Sequence, residues 1–497
     1  MKRALAAALG ALQTLAFVHT AAWWLPLATA AVLVHLLRGA TPGRAAVLGW
    51  LYGTGWLVAG VWWLFISMHR YGGLPAFLAA AAVLALAAAL SIYIAVASAA
   101  YARWASGVAW KDALLFAALW LAAELARGVF FTGFPWLASG YAWVDAPLGR
   151  LAPWIGVYGL GTVLAWAAAM LATLPRRSWR SRVLVGGGLA VLLLGPALVP
   201  PPEHTRSAGT LGVTLLQTNV PQDEKFAAEK LPATLEWAAQ ALLQARGPLV
   251  VSPETMVPLL PEQLERVAPG YWPALQEHFG SGARAALIGQ PLGDYERGYT
   301  NSVVGLSASA APYRYDKHHL VPFGEFIPTG FRWFTRMMNI PLGDFDRGVV
   351  AAPSFSALGQ RIAPNICYED LFGEELARRF VDDATAPTVL ANMSNIGWFG
   401  DTIAVSQHLN LSRMRALELQ RPMLRATNTG ATAVIDHRGQ VLAMLAPYTR
   451  GSLDAQVEGR AGLTPYARWA GHVGLWPLWV LAVGIVLAHR TAARRTR

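Results

Sequence analysis

The sequence predicts a polytopic α-helical membrane domain of about eight spans joined to an extramembrane α/β domain. Three observations predict it. Hydrophobic residues make up 55% of the 497 positions and charged residues only 14%, with 21 tryptophans, which is outside the range of soluble globular chains. The apolar excess is confined to the stretch before about residue 200 and the one after about residue 470. Between them, short apolar runs alternate with amphipathic stretches, the pattern of strands and covering helices.

The membrane part reads as successive apolar segments, each near the roughly 20 residues that cross a hydrocarbon core. Spans are expected at 5–20, 22–37, 50–68, 74–100, 112–127, 151–174 and 183–200, with an eighth at 471–489. The first two are short and suit a tight hairpin. Met1-Lys2-Arg3 ahead of an apolar run resembles a secretory leader, but no small-x-small cleavage site precedes a soluble start, so an uncleaved first helix is expected. Basic residues resist translocation. One alternating set of connections and tails holds fourteen of them, including Lys2, Arg38, Arg103, Arg177 and Arg490, whereas the other holds only Arg70, Arg127 and Arg150. This bias places both termini in the cytoplasm and the α/β domain on the opposite side, the periplasmic face of a bacterial inner membrane. Much of the net charge of +11 is thereby topological, and no nucleic-acid partner is implied.

The boundaries follow from composition: a seven-helix membrane domain at 1–204, an α/β domain at 205–466, and a final span with a basic tail at 467–497. Pro200-Pro201-Pro202-Glu203-His204 and Leu463-Thr464-Pro465-Tyr466 are linker-like. Within the α/β domain, strands are expected at 212–217, 249–252, 286–289, 302–306, 361–366, 388–393, 423–427 and 432–436. Helices are expected at 232–245, 261–279, 371–381 and 405–419. About 260 residues suffice for a full core, and no Gly-rich phosphate loop occurs in strand-turn-helix context.

Chemistry concentrates at strand ends. Cys367 is the single cysteine, so no disulfide forms within the chain, and a free thiol in an oxidising compartment points to use rather than packing. It ends the run Arg361–Ile366 and precedes Tyr368, Glu369 and Asp370. Glu254 follows Val250-Val251-Ser252-Pro253, and Lys317 follows Tyr315-Asp316. In open α/β sheets such ends line the ligand crevice. A carboxylate base, a cation for a developing oxyanion and a thiol nucleophile together form an acyl-transfer kit.

These three residues, in this chain order, resemble the Glu-Lys-Cys triad of the carbon-nitrogen hydrolase, or nitrilase, superfamily. The closer resemblance is to the apolipoprotein N-acyltransferase family, and it extends over essentially the whole chain. It is carried by Thr132-Gly-Phe-Pro-Trp-Leu137, Pro322-Phe-Gly-Glu-Phe-Ile-Pro328, Asn392–Asp401, Gln407-His408, Arg413–Leu419 and Leu424–Gly430. It implies a nitrilase-like αββα sandwich and no cofactor. It also implies a ping-pong transfer, in which Cys367 takes an acyl chain from a membrane phospholipid and passes it to the α-amino group of a diacylglyceryl-cysteine on an apolipoprotein. By the same resemblance Glu254 is the base. Lys317 and the backbone N–H of Tyr368 hold the oxyanion, and Glu325 and Glu369 orient Lys317 and the substrate amine. Trp136, Phe226 and Trp398 are lipid-path candidates, Phe226 standing where the family usually has tryptophan. The Asn395-Ile396-Gly397 loop is less polar than is usual in the family.

The apolar, aromatic and basic segment 326–340 is expected to lie at the interface and cover the entrance. Glu124 and Arg127 are expected to be interfacial or mutually paired. His318 and His319 are adjacent and, on an extended segment, would point to opposite faces, so no metal site is expected. Two alternatives use the same sequence differently: a membrane-tethered amidase that passes the acyl group to water, and a non-catalytic transporter or scaffold.

Overall fold

The computed structural model describes residues 1–308, 311–328 and 344–495. The chain forms two compact units. One takes in Met1–Phe65, Pro75–Glu203 and the chain from Val473, and the other Ile66–Leu74 and His204–His472.

The first unit is helical. Among the described residues, five helical segments are long and apolar enough to cross a bilayer: Thr20–Leu37, Ala76–Trp104, Ala109–Thr132, Pro147–Leu171 and Trp179–Leu198. Two further candidates are bent helix pairs, Pro42–Val61 with Leu64–Tyr71 at 62° and Pro465–Val473 with Trp476–Thr491 at 87°, and the count reaches seven only where each pair is one span. The span expected at 5–20 is not among them. Its α-helix, Lys2–Gln13, has 12 residues and tightens into a 3₁₀ turn at Thr14–Phe17, too short at about 1.5 Å per residue for the hydrocarbon core. That helix packs closely on Pro42–Val61 because a Cβ at Gly10 would overlap the Tyr52 carbonyl, and one at Gly55 the Ala7 carbonyl. Glu124 and Arg127 are buried within the unit, and the Arg127 charge acts on Glu124. Glu124 Oε1 accepts the Ser139 N–H at 2.7 Å, and Arg127 donates to the carbonyls of Phe134 and Trp136 at 2.9 and 2.6 Å, so both tie down the non-helical segment at 134–138 and the start of the 3₁₀ helix Ser139–Trp143 that follows.

The second unit is a four-layer sandwich. Its strands are β1 Arg206–Gln217, β2 Leu249–Val251, β3 Ala285–Asp294, β4 Gly298–Leu306, β5 Tyr313–Asp316, β6 Phe355–Ala357, β7 Gln360–Ile366, β8 Val389–Ser394, β9 Met423–Thr427, β10 Ala433–Ile435, β11 Val441–Met444 and β12 Gly451–Ala461. They form two six-stranded sheets, in the orders β12-β1-β2-β3-β4-β5 and β11-β10-β9-β8-β7-β6. The central sets β1–β2–β3 and β7–β8–β9 are parallel, and their central residues are covered on both faces, which is why apolar residues predominate there. Period-two alternation then divides their side chains between layers. Leu249, Val251, Leu287, Ile366, Ala391 and Met393 meet between the sheets. Val250, Ala286 and Ile288 face the helices Leu231–Gln244, Pro261–Val267 and Tyr271–Phe279. Ala363, Leu390 and Met423 face the opposite helical layer, which includes Ala404–Leu419.

All eight expected strands are present. The helix expected at 261–279 is two, broken by Gly270 at φ +77°, and the one expected at 371–381 shrinks to Gly373–Ala377 followed by a 3₁₀ turn.

Candidate active site

Glu254, Lys317 and Cys367 follow the carboxyl ends of β2, β5 and β7 and share one edge of the paired sheets. The Lys317 N–H donates to Asn301 and its carbonyl accepts from Gly348, which prolongs the β4–β5 pairing into the site. The loop carrying Glu254 lies directly on β3. A Cβ at Gly289 would sit 2.6 Å from the Thr255 nitrogen and 3.0 Å from the Glu254 Cα, so only glycine admits that approach. Cys367 has φ +52°, left-handed backbone that a non-glycine residue holds only under constraint.

The side chains interlock. Lys317 Nζ lies 2.8 Å from Glu325 Oε1 and 3.5 Å from Glu254 Oε1. Asn301 Nδ2 donates to both carboxylates, at 2.7 Å to Glu254 and 2.8 Å to Glu325. The second oxygen of Glu254 accepts the Asn395 N–H at 2.8 Å, and that of Glu325 the Val321 N–H at 2.8 Å. All of these side chains are buried, whereas Cys367 is partly exposed. Burial, then Glu254, push the Cys367 thiol well above its ordinary pKa, against the opposing pull of Lys317. Burial opposes the Lys317 charge, but Glu325 and Glu254 outweigh it and hold the ammonium above its usual range. The resting site therefore contains a neutral thiol and a firmly charged cation, the latter 3.5 Å from Glu254.

Glu369 supports the site from behind. It accepts the Ile366 N–H at 2.6 Å, the Tyr315 hydroxyl at 2.7 Å and the His318 N–H at 2.8 Å, and so joins the cysteine strand to the lysine segment. His318 Nδ1 lies 2.8 Å from Glu369 and its Nε2 lies 2.8 Å from Glu375. Burial opposes these charges, but the bonds to His318 bring Glu369 to about 2, and those to Glu369 and Glu375 bring His318 to about 9. The expectation that the adjacent histidines point apart is wrong. The segment is no longer a strand after Asp316, and His319 Nδ1 also reaches Glu375, at 3.0 Å. His318, His319 and Glu375 bring their potential ligand atoms within 4.8 Å of one another.

Residues 213–466 match the carbon-nitrogen hydrolase family model, and residues 9–170 that of the apolipoprotein N-acyltransferase N-terminal domain. The apolipoprotein N-acyltransferase of Verminephrobacter eiseniae is 54% identical over 91% of this chain and 89% of its own length. That of Ralstonia nicotianae is 45% identical over 99% and 93%. The chain belongs to the apolipoprotein N-acyltransferase family. Among solved structures, a CN-hydrolase superfamily protein from Xanthomonas campestris aligns with 54% of this chain and 96% of its own, at 19% identity and TM-score 0.36.

The motifs that carry the family resemblance hold polar residues whose parts were illegible in the sequence. Beneath Cys367, His408 Nε2 donates to its carbonyl at 3.2 Å and the Asn392 amide does so at 3.3 Å. Arg425 donates to His408 Nδ1 at 2.7 Å, which sets the imidazole tautomer, and to Ser412 at 2.6 Å; Ser412 in turn donates to Asp370. Every one of these side chains is fully buried. Buried charged and polar residues at 407–427, in a stretch otherwise suited to a core helix and strand, were the available signal.

The lipid-path candidates separate. Trp136 belongs to the helical unit, is 4% exposed and packs on Trp63 with ring centroids 5.0 Å apart. Trp398 is half-buried in the α/β unit, edge-on to Tyr71 at 5.6 Å, and Phe226 is also half-buried. Ile396 of the unusually apolar loop joins Val405 and Ala431 in a cluster against which Cys367 packs. Most of the expected entrance segment, residues 329–343, lies outside the described residues.

Proposed function

We propose that this chain moves an acyl chain from a membrane phospholipid to the α-amino group of the diacylglyceryl-cysteine that begins an apolipoprotein, through a thioester on Cys367. The observation that carries the reading is the convergence of Glu254, Lys317 and Cys367 beyond the carboxyl ends of β2, β5 and β7, with Lys317 3.5 Å from Glu254, in a member of this family. Because the thiol rests neutral, attack requires proton transfer. Glu254 takes the S–H proton as sulfur bonds to the ester carbonyl carbon, and Lys317 with the Tyr368 N–H holds the oxyanion. Each such donor contributes about 3–4 kcal/mol. The ester C–O bond then breaks, and Glu254 returns its proton to the departing lysophospholipid oxygen. In the second half the amine nitrogen attacks the thioester carbonyl, Glu254 accepts an N–H proton, the C–S bond breaks, and the proton returns to sulfur. Glu325 and Glu369 keep Lys317 and the cysteine strand in register.

The scheme also explains the apolar helices: donor and acceptor both carry chains that do not leave a bilayer, so the enzyme stays with them. The Lys/Arg bias supports cytoplasmic termini and an α/β unit on the periplasmic side.

Intact-protein mass spectrometry tests the proposal. Wild type incubated with phospholipid should gain one acyl mass that Cys367→Ser does not, and a diacylglyceryl lipopeptide should discharge it as N-acyl peptide. Discharge to water alone would support the hydrolase reading, and absence of any adduct would refute a thioester.

A further inference from the structure

Lys225 lies in the loop after β1, eight residues beyond Gln217, and its side chain is 5% exposed. An ammonium has three N–H donors. Among the described residues Lys225 uses one, to the Glu254 carbonyl at 3.1 Å, and it has no carboxylate within ion-pair distance. Lys317, by contrast, is committed to Glu325 at 2.8 Å. The triad region thus holds two carboxylates and one compensated cation around a thiol that must become part of an anion. Burying a further charge without a counter-ion is costly, and Glu254 and Cys367 are the groups whose charges act on Lys225.

We propose that Lys225 is a second cation of the acyl-transfer site, holding the Glu254 main chain with one N–H and offsetting with its charge the negative charge that builds during thioester formation. This deepens the function proposed above and rests on it. The same loop supplies Gln222, whose Oε1 accepts from Asn395 at 2.8 Å while the Asn395 N–H reaches Glu254. The loop therefore grips the base from two directions, and Lys225 alone brings charge. Its acidic sequence neighbours point elsewhere: Asp223 pairs with Arg70 at 3.4 Å, and Glu224 lies 4.0 Å from Lys230. Burial lowers the Lys225 pKa to about 8, against Glu254 and Cys367, so the cation discharges within an accessible pH range.

Three variants separate charge from hydrogen bonding: Lys225→Arg, Lys225→Gln and Lys225→Met. The readout is the rate of acyl-adduct formation on Cys367 with phosphatidylethanolamine micelles, followed by intact mass across pH, with thermal unfolding as the folding control. The expected result is a loss on the order of 10²-fold in Met and Gln, the size of one electrostatic donor. Arg should retain most of the rate and, being always charged, should lose the alkaline fall near pH 8. A Gln variant at the wild-type rate would reduce Lys225 to a tie on the Glu254 carbonyl, and a Met variant at that rate would remove it from the site; either overturns the proposal. Iodoacetamide alkylation of Cys367, which needs no acyl transfer, is an independent arm. It should be about tenfold slower in Met than in wild type at a fixed pH. If wild type forms no adduct yet this difference appears, the function fails and the second cation stands; equal alkylation rates overturn Lys225's role.

Discussion

Replacing His408 by alanine tests whether the backbone of Cys367 is held from beneath. His408 is 0% exposed. Its loss removes the 3.2 Å bond to the Cys367 carbonyl, leaving the Asn392 amide at 3.3 Å, and strands the Arg425 N–H that reaches Nδ1 at 2.7 Å. A buried donor without a partner costs about 1–3 kcal/mol, more when charged, and the imidazole-sized cavity adds to it, so a destabilisation of about 3–4 kcal/mol is expected. Left-handed backbone at a non-glycine residue stores on the order of 1–3 kcal/mol and persists only while its surroundings enforce it. Relaxation would displace Sγ, and a shift of about 1 Å lowers rate by roughly 10²-fold. The assays are thermal unfolding and the initial rate of Cys367 acylation by intact mass, with His408→Gln as the variant that restores a donor. A folded His408→Ala protein that acylates at the wild-type rate would refute the reasoning. Burial and Arg425 also push the His408 pKa well below its ordinary 6.5, so this residue should add no limb to the pH profile in that region.

Glu254→Gln should fold yet form thioester slower by roughly 10²–10⁴-fold, because the thiol loses its proton acceptor; adduct formation at the wild-type rate would assign the base elsewhere. Asn301→Leu removes the amide shared by Glu254 and Glu325 and should lower acylation and unfolding temperature together, a loss of about 1–3 kcal/mol; calorimetry and the adduct assay check it. Gly289→Ala drives a methyl into the Glu254 loop and should cost about 1–3 kcal/mol with a disproportionate drop in acylation, whereas an unchanged rate would detach that loop from catalysis. The Glu369–His318 pair predicts a stability window. Glu369, held at about 2, stabilises the fold above its ordinary 4.5, a contribution lost as pH falls towards 2. His318, held at about 9, stabilises it fully below 6.5 and progressively less as pH rises through 9. The melting temperature should therefore decline between about pH 7 and 9 in wild type and less so in His318→Gln.

Much of the fold was legible because local pattern mirrors burial. The parallel strand β2 is covered on both faces and so appears as an unbroken apolar run, β8 and β9 keep enough apolar residues around Asn392 and Arg425 to read as strands, and the amphipathic stretch at 404–419 becomes one helix. What escaped notice was polar or short. β12 alternates exposed and half-buried residues along most of its length and pairs with β1 through backbone bonds that ask nothing of its side chains. β6 has only three residues. The helix at 261–279 broke because Gly270 takes a left-handed φ, which periodicity does not register. The span at 5–20 ended early for a related reason: hydropathy counts apolar residues and is blind to the turn that stops the helix at Gln13.

The sequence by itself determined the covalent possibilities and their family. One thiol, a carboxylate and a lysine at strand ends, set among apolar spans, are read from residue order, because chain order and hydropathy are local properties. Tertiary structure alone decided how those groups are held. Asn301 joins Glu254 to Glu325, His408 and Arg425 brace the Cys367 backbone, two neighbouring histidines converge on Glu375, and Lys225 reaches the Glu254 carbonyl. These pairings cross from strand to strand and sheet to sheet. The register of the sheets and the closure of loops at their ends set them, and neither is encoded in any single stretch of chain.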